Sequence, residues 1–395
     1  MTFRGKASLF WLAIVGSVAV AVGAGSPAHA AVVSATPDPL PTFNGTVLAT
    51  AYSGNTLYVG GDFTSVTSRG RTVARSRLAA VDARTGALLD WAPAADGTIR
   101  SIAVSGRAVF VGGAFTTVAG VRRDGLARLD AASGAVHASF RQSFSGMPYA
   151  LAVSGGRLYV GGTMTSLDGQ PIGRLAAFAV DSGAAVPGWR PRADGTVEAV
   201  VAAGDRIYVG GKFGSVNGAA NTRHLAALTP AGAVDPGFAA YASDVVHAIA
   251  VGGSGVYAAM GGPGGRLGAF TTSGAGRWTL TMDGDAQAVA VLDRVVYIGG
   301  HFDNVCRSAR TGDKGTCLDG HVRRVKLAAA SESGGALLSW SADGNGSSGV
   351  HTMAASAPLY KVVAGGAFTT IRGAARARLA QFGAAAGREA GASVG

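Results

Sequence analysis

The chain has 395 residues, 62 of them glycine, with 48% hydrophobic, 14% charged and 7% aromatic residues. Glycine without a three-residue period excludes a collagen helix, the hydrophobic share excludes a disordered chain, and two cysteines are too few for a disulfide scaffold. The formal charge of +11 rests on arginine, since only five lysines occur. A positive balance suits an acidic partner such as an anionic cell-wall polymer, but it equally describes a soluble charged surface. No dense basic run interleaved with aromatics occurs, so nucleic acid is not expected as a partner.

The chain opens with Arg4 and Lys6, an apolar run from Leu9 to Gly23, and Ala28-His29-Ala30. This is the order of a secretory signal peptide, so residues 1–30 are expected to be removed. The mature chain then starts near Ala31 with a charge close to +9 and is secreted. The apolar run of about 15 residues is shorter than the roughly 20 a spanning helix needs. No later run is long enough to span a membrane, so no membrane segment is expected after signal removal. Residues 31–37 are a short lead.

From residue 38 to residue 383 one unit recurs. Tyr58-Val59-Gly60-Gly61-Asp62-Phe63 returns as Phe110-Val111-Gly112-Gly113-Ala114-Phe115, Tyr159-Val160-Gly161-Gly162-Thr163-Met164 and Tyr208-Val209-Gly210-Gly211-Lys212-Phe213. It returns again at Tyr297 to Phe302 and Val363 to Phe368, with a degraded copy at Tyr257-Ala258-Ala259-Met260. The seven copies are 52, 49, 49, 49, 40 and 66 residues apart. Each copy holds an alternating run (Ile102 to Gly106), the Gly-Gly run, a third run (Leu78 to Asp82) closed by a Thr85-Gly86 turn, and a fourth run carrying Trp91, Phe140, Trp189, Phe238, Trp278 or Trp340. Short alternating runs punctuated by glycine are strands. Four strands per unit of about 50 residues, taken seven times, predict an all-β, seven-bladed β-propeller of four-stranded antiparallel blades. Glycines permit close approach near the axis and the aromatics fill the space between blades, so neither needs a catalytic explanation.

The last copy lacks its fourth run and ends in a small-residue tail, residues 384–395, expected to be disordered. Asp38 to Gly45 aligns with Asp90 to Gly97, with Pro39 at the tryptophan position. The N-terminal strand is therefore expected to complete the last blade and remove the exposed edge.

The units resemble the delta-60-type β-propeller repeats of secreted bacterial proteins, whose hallmark is V-G-G-x-F-T-x-V-x-G. Here the match runs over Val59 to Val66, Val111 to Gly120 and, with substitutions, Val209 to Gly218 and Ala364 to Gly373. The double glycine and later tryptophan are also similar to kelch repeats. The resemblance implies the fold and no common activity. The fifth copy lacks the F-T-x-V-x-G loop, so an irregular blade is expected there.

Cys306 and Cys317 lie in the long loop of the sixth copy. Outside the cytoplasm such a pair forms a disulfide; a metal pair with His301 or His321 is the alternative, at a spacing unlike zinc sites. The pinned loop carries Arg307, Arg310 and Lys314 and is a candidate binding loop. The residue after each Gly-Gly pair varies, so Asp62, Lys212 and His301 are candidates for one face or for the channel mouth. Asp283 to Asp285 and Asp343-Gly344-Asn345 fall where the repeat needs turns and lack the spacing of a calcium loop. No G-x-S-x-G elbow or H-E-x-x-H motif occurs. Asp168 and Glu198 remain as carboxylates able to pair across blades. These residues point to a secreted, cofactor-free binding or scaffold module for an extracellular protein or a cell-surface glycan, as a monomer or a subunit of a secreted assembly. The alternative is an extracellular hydrolase or lyase acting on polysaccharide at the channel mouth.

Overall fold

The computed structural model describes residues 31–138 and 140–385. The predicted signal peptide and most of the predicted tail lie outside the described residues. Among the described residues there is no helix, and the main strands form seven antiparallel meanders. Their first strands are Val47–Ser53, Ile99–Ser105, Pro148–Ser154, Thr196–Ala203, Val246–Gly252, Ala286–Leu292 and Val350–Ser356. These strands pack side by side in order, and the seventh packs on the first. All seven line one axial cavity.

The Gly-Gly strand, replaced by Gly255–Met260 without the pair in the fifth meander, is second in each, as in Thr56–Gly61, and pairs with both the inner strand and the third strand, Leu78–Asp82 in the first meander. Opposite the glycine pair the inner strand carries an extra residue: Val47 faces Gly61 while Ala49 faces Gly60. The same bulge recurs in all seven inner strands. The two glycines answer different needs. A Cβ on Gly60 would lie 2.6 Å from Ile99 Cγ2 in the next meander. A Cβ on Gly61 would collide with the Thr46 carbonyl at the bulge of its own meander. One glycine thus lets neighbouring sheets approach, and the other makes room for the bulge.

The expectation of four strands per sheet holds in only one meander. The fifth has a full fourth strand, Gly276–Thr281, while the other six have three. Elsewhere the fourth run touches the third through one bridge, as at Val81 and Leu88 or Leu228 and Val234. Pro93, Pro187 and Pro236 interrupt it in the first, third and fourth units, and proline cannot donate to a ladder. In the second, third and fourth units the run turns, with the amides of Phe140, Trp189 and Phe238 bonding the carbonyl three residues back. The turn places the aromatic beside the second-strand aromatic of its own unit: Phe110 and Phe140 lie 5.5 Å apart, Tyr159 and Trp189 5.4 Å, Tyr208 and Phe238 5.2 Å. These rings fill the seams between neighbouring meanders.

There are seven such apolar seams among the described residues. The one joining the last meander to the first contains Phe43, Val47, Val59, Val363 and Leu379. Residues 32–35 pack on the seam between the sixth and last meanders, and Leu40 and Phe43 on the last-to-first one. Ser34 and Asp38 donate backbone hydrogen bonds to Gly383 and Gln381 in the last meander, and Phe43 donates to Ala377. Lys361 Nζ lies 2.5 Å from the Asp38 carboxylate, and the Gln381 amide reaches the same oxygen at 2.8 Å. Thr42–Phe43 pairs with Ser65–Ser68 of the first unit's hairpin. The segment therefore bridges the last sheet and the first, and the predicted lead, 31–37, is part of the packing: Val33 is buried and Trp340 Nε1 donates to the Ser34 carbonyl.

Candidate ligand site at the axial mouth

The extra residue of each inner-strand bulge is displaced from the ladder, and its side chain lines the axial cavity. In chain order these residues are Leu48, Arg100, Tyr149, Glu198, His247, Gln287 and His351, and together with Thr163 and Thr196 they line a mouth of about 430 Å³. Their neighbours in the strands are Val, Ile, Ala, Ser or Thr in most units, which pack the seams. The ring is thus built by backbone: a bulge recurs in every inner strand, opposite a glycine pair in six units and Ala259-Met260 in the fifth, and it aims one side chain inward.

Two contacts organise the ring. His247 Nδ1 donates to Glu198 Oε2 at 2.7 Å, between adjacent meanders. The Arg100 guanidinium stands 5.5 Å from the centre of the Tyr149 ring, within cation–π range. Arg100 and His351 flank Leu48 on one side of the mouth, and the Glu198–His247 pair sits further round it. Burial presses the His247 imidazole toward neutrality, but its bond to Glu198 and the nearby charges of Glu198, Asp285 and Asp244 raise its pKa above the ordinary 6.5. His351 goes the other way: burial, then the charges of Arg100 and His301, lower its pKa against the opposing pull of Asp62.

The six candidate binding residues separate. Asp62, Lys212 and His301 all follow a glycine pair at this end of their sheets. His301 joins the ring through Gln287, whose Nε2 is 3.3 Å from its Nδ1, and receives the Asp285 amide on Nε2 at 3.4 Å. Asp62 faces His351 electrostatically. Lys212 is exposed at the rim, opposite Thr196 in register. Arg307, Arg310 and Lys314 lie on the loop closed by the Cys306–Cys317 disulfide, whose Cα atoms are 5.1 Å apart. Arg310 is tied to Asp319 at 2.9 Å, and the loop leans on the short turn of the fifth unit, where Thr311 Oγ1 donates to the Pro263 carbonyl. These three residues do not line the mouth.

The Asp168–Glu198 pairing is corrected. Asp168 lies in an outer hairpin, where it accepts the Ser143 amide at 2.9 Å, and it lines different cavities. Glu198 pairs with His247 instead. The calcium alternative at the Asp-Gly turns also gives way to a structural role. Asp283 Oδ1 accepts the amides of Asp303 and Asn304 at 2.8 and 2.9 Å. Asp96, Asp194, Asn44 and Asn345 hold the corresponding turn of the following unit in the same manner. Sequence reading singled out Glu198 and missed the rest of the ring. The available signal was a large residue among small ones, at the same distance before the glycine pair in the first four copies and the sixth.

A family model described as a beta-propeller domain of unknown function (DUF5122) matches residues 108–140 and 205–238. Solved structures agree on the fold. A WD40 beta-propeller domain of Doa1 is 10% identical with a TM-score of 0.55, over 87% of this chain and 95% of that one. A chain of a mitotic checkpoint complex is 12% identical with a TM-score of 0.59, over 94% and 98%. The designed Ika8 protein is 14% identical with a TM-score of 0.50, over 87% and 98%. The fold is an all-β propeller. No curated protein sequence matches the chain significantly.

Proposed function

We propose that the seven meanders are the blades of one closed propeller of delta-60-type repeats, that the protein is exported, and that it acts outside the cytoplasm as a binding module whose recognition site is the axial mouth. One observation carries this reading. Seven positions share the same bulge, the same register and the same backbone surroundings, yet they hold Leu48, Arg100, Tyr149, Glu198, His247, Gln287 and His351. A packing role would repeat one residue type, as it does at the seams. Seven large side chains of six types facing one cavity of about 430 Å³ suit a ligand with several distinct polar groups, and ligand pockets run from about 300 to 1,000 Å³. A cell-surface glycan fits this better than a flat protein surface. The export reading is supported by the disulfide, and no described helix is long and apolar enough to cross a membrane.

The test is a glycan array probed with the purified protein and with an Arg100→Ala/His247→Ala double variant of unchanged thermal stability. Retention that disappears in the variant is expected. Retention that survives the double change, or that maps to Arg307, Arg310 and Lys314, would remove the axial mouth as the recognition site.

The hydrolase or lyase reading is favoured by one specific feature, the Glu198–His247 pair at 2.7 Å. A carboxylate bonded to Nδ1 fixes the imidazole so that Nε2 can move a proton. Release of reducing ends or unsaturated sugars from a polysaccharide, abolished in His247→Ala, is the outcome that would establish it.

A further inference from the structure

Most arginines of this chain are occupied by the protein itself. Arg75, Arg123 and Arg324 each place a guanidinium between the preceding carbonyl and one across the sheet, at Leu89, His137 and Leu338. Arg77 and Arg378 bond the carbonyls of Asp62 and Ala367. Arg107, Arg122, Arg206, Arg310 and Arg323 pair with carboxylates. Arg100 differs. Among the described residues it enters no hydrogen bond or ion pair, and it stands in the mouth beside the Tyr149 ring, near enough to His351 to act on its charge. A planar guanidinium held near an aromatic ring is pre-arranged for two parallel bonds to one planar anion.

The rest of the ring limits what that anion belongs to. Glu198 is bonded to His247, and Asp244 and Asp285 are close enough to His247 to act on its charge. A second anionic group would meet these carboxylates there, so the mouth suits a ligand with a single anion better than a polyphosphate. Glu198 spends one oxygen on His247, and its other oxygen is left to accept from a hydroxyl donor. Gln287 adds an amide, and Leu48 and Tyr149 give the wall apolar faces. One anion at one end, hydroxyls at the other and a flat apolar face between them describe a sugar acid.

Resting on the axial-mouth reading, we propose that the mouth binds a carboxylate-bearing pyranose of an acidic glycan, with the carboxylate on Arg100, the ring against Tyr149 and hydroxyls on Glu198 and Gln287. A sulfated sugar shares the anionic chemistry, and the experiment separates the two. The protein is titrated calorimetrically with oligosaccharides of galacturonate, glucuronate and mannuronate, with neutral and sulfated oligosaccharides of matched length, and with a short peptide. Arg100→Ala and Arg100→Lys variants of unchanged melting temperature are run alongside.

At least one uronate oligosaccharide is expected to bind at least tenfold more tightly than its neutral counterpart, to lose at least tenfold in Arg100→Ala and to recover part of that in Arg100→Lys. Neutral and acidic sugars binding equally, uronate binding indifferent to Arg100→Ala, preference for the sulfated sugar or the peptide, or no uronate binding at all each overturns the proposal. The axial-mouth reading fails separately, when binding of whichever ligand is retained ignores Glu198→Gln and His247→Ala as well.

Discussion

Asp96 shows how much one side chain does in this architecture. Its Oδ1 accepts the amides of Thr116 and Thr117, and its Oδ2 accepts the Thr116 hydroxyl at 2.6 Å. Burial raises its pKa, but the Thr116 hydroxyl and the two amides outweigh that and hold the carboxyl well below the ordinary 3.8. A carboxylate depressed on folding adds stability above its unfolded pKa and loses it as the pH falls toward the folded value. Asp96→Ala is therefore expected to cost about 1–2 kcal/mol near neutral pH by denaturant titration. Asp96→Asn should cost much less and soften the acid sensitivity, because Asn44 and Asn345 already hold the same turn. Equal losses in the two variants would contradict the account. The ring histidines offer a second check, by NMR titration. His247 should titrate above 6.5 and His351 below it. His247 stabilises the fold at low pH, and that contribution fades as the pH rises through its raised pKa. His351 stabilises at high pH and loses its contribution as the pH falls through 6.5 toward its lowered value. Two histidines titrating together would refute the assignment of Glu198 and Arg100 as their controlling neighbours.

Among elements, the disulfide loop and the fifth unit explain each other. The fifth unit lacks the long loop that follows the glycine pair elsewhere, paired as a hairpin in five units, and turns tightly through Gly262 to Gly265. Gly315 of the sixth unit's loop packs against Gly264 there, where a Cβ on either would collide with the other. The extension of the sixth copy thus covers the space left by the shortened fifth. That placement assigns the loop a structural task beside any binding role. Replacing Cys306 and Cys317 by serine should lower stability by about 3 kcal/mol on the chain-entropy scale. Hydrogen exchange should show lost protection both in the loop and in the Gly262–Gly265 turn. Protection lost in the loop alone would mean that the two do not support each other. The residue before the third strand has a comparable structural cost in five of the seven units. Arg77, Arg174, His224, Lys326 and Arg378 hold φ between 63° and 73°, a region that non-glycine residues occupy at some expense. Four of them cap carbonyls at the end of their own Gly-Gly strand, as Lys326 does at His301. Arg77 and Arg378 are thereby spent on the fold rather than left for an acidic polymer.

For the whole molecule the decisive seam is the one where the two ends of the repeat array meet. The close approach of glycine to a neighbouring sheet repeats there as elsewhere: Gly365 of the last unit abuts Val47 of the first, as Gly60 abuts Ile99. Gly86 abuts the Pro39 carbonyl where other units have an aromatic or a proline. Proline at the tryptophan position thus still packs, against Leu88 through its neighbour Leu40. Truncation of residues 31–41 removes the Asp38 contacts with Lys361 and Gln381 and opens this seam. The melting temperature should fall by several degrees, as a loss of a few kcal/mol implies for a chain of this size, and Asp38→Ala should give part of the effect. An unchanged melting temperature in the truncated protein would show that the segment does not hold the ring.

The repeat, the strand character, the glycine pairs, the aromatics and the cysteine pair could be read directly, because each is fixed by local periodicity or by a packing need that recurs in every unit. The ring of inward side chains could not. A bulge shifts which residue faces the axis, and which bulges meet depends on how seven sheets are arranged about it. Glu198 and His247 are 49 positions apart and touch only because adjacent inner strands place the same register at the same height. The fourth strand failed to form in most sheets because the aromatic gains more by turning into a seam than by extending a ladder, a competition decided by neighbours that the linear chain does not reveal.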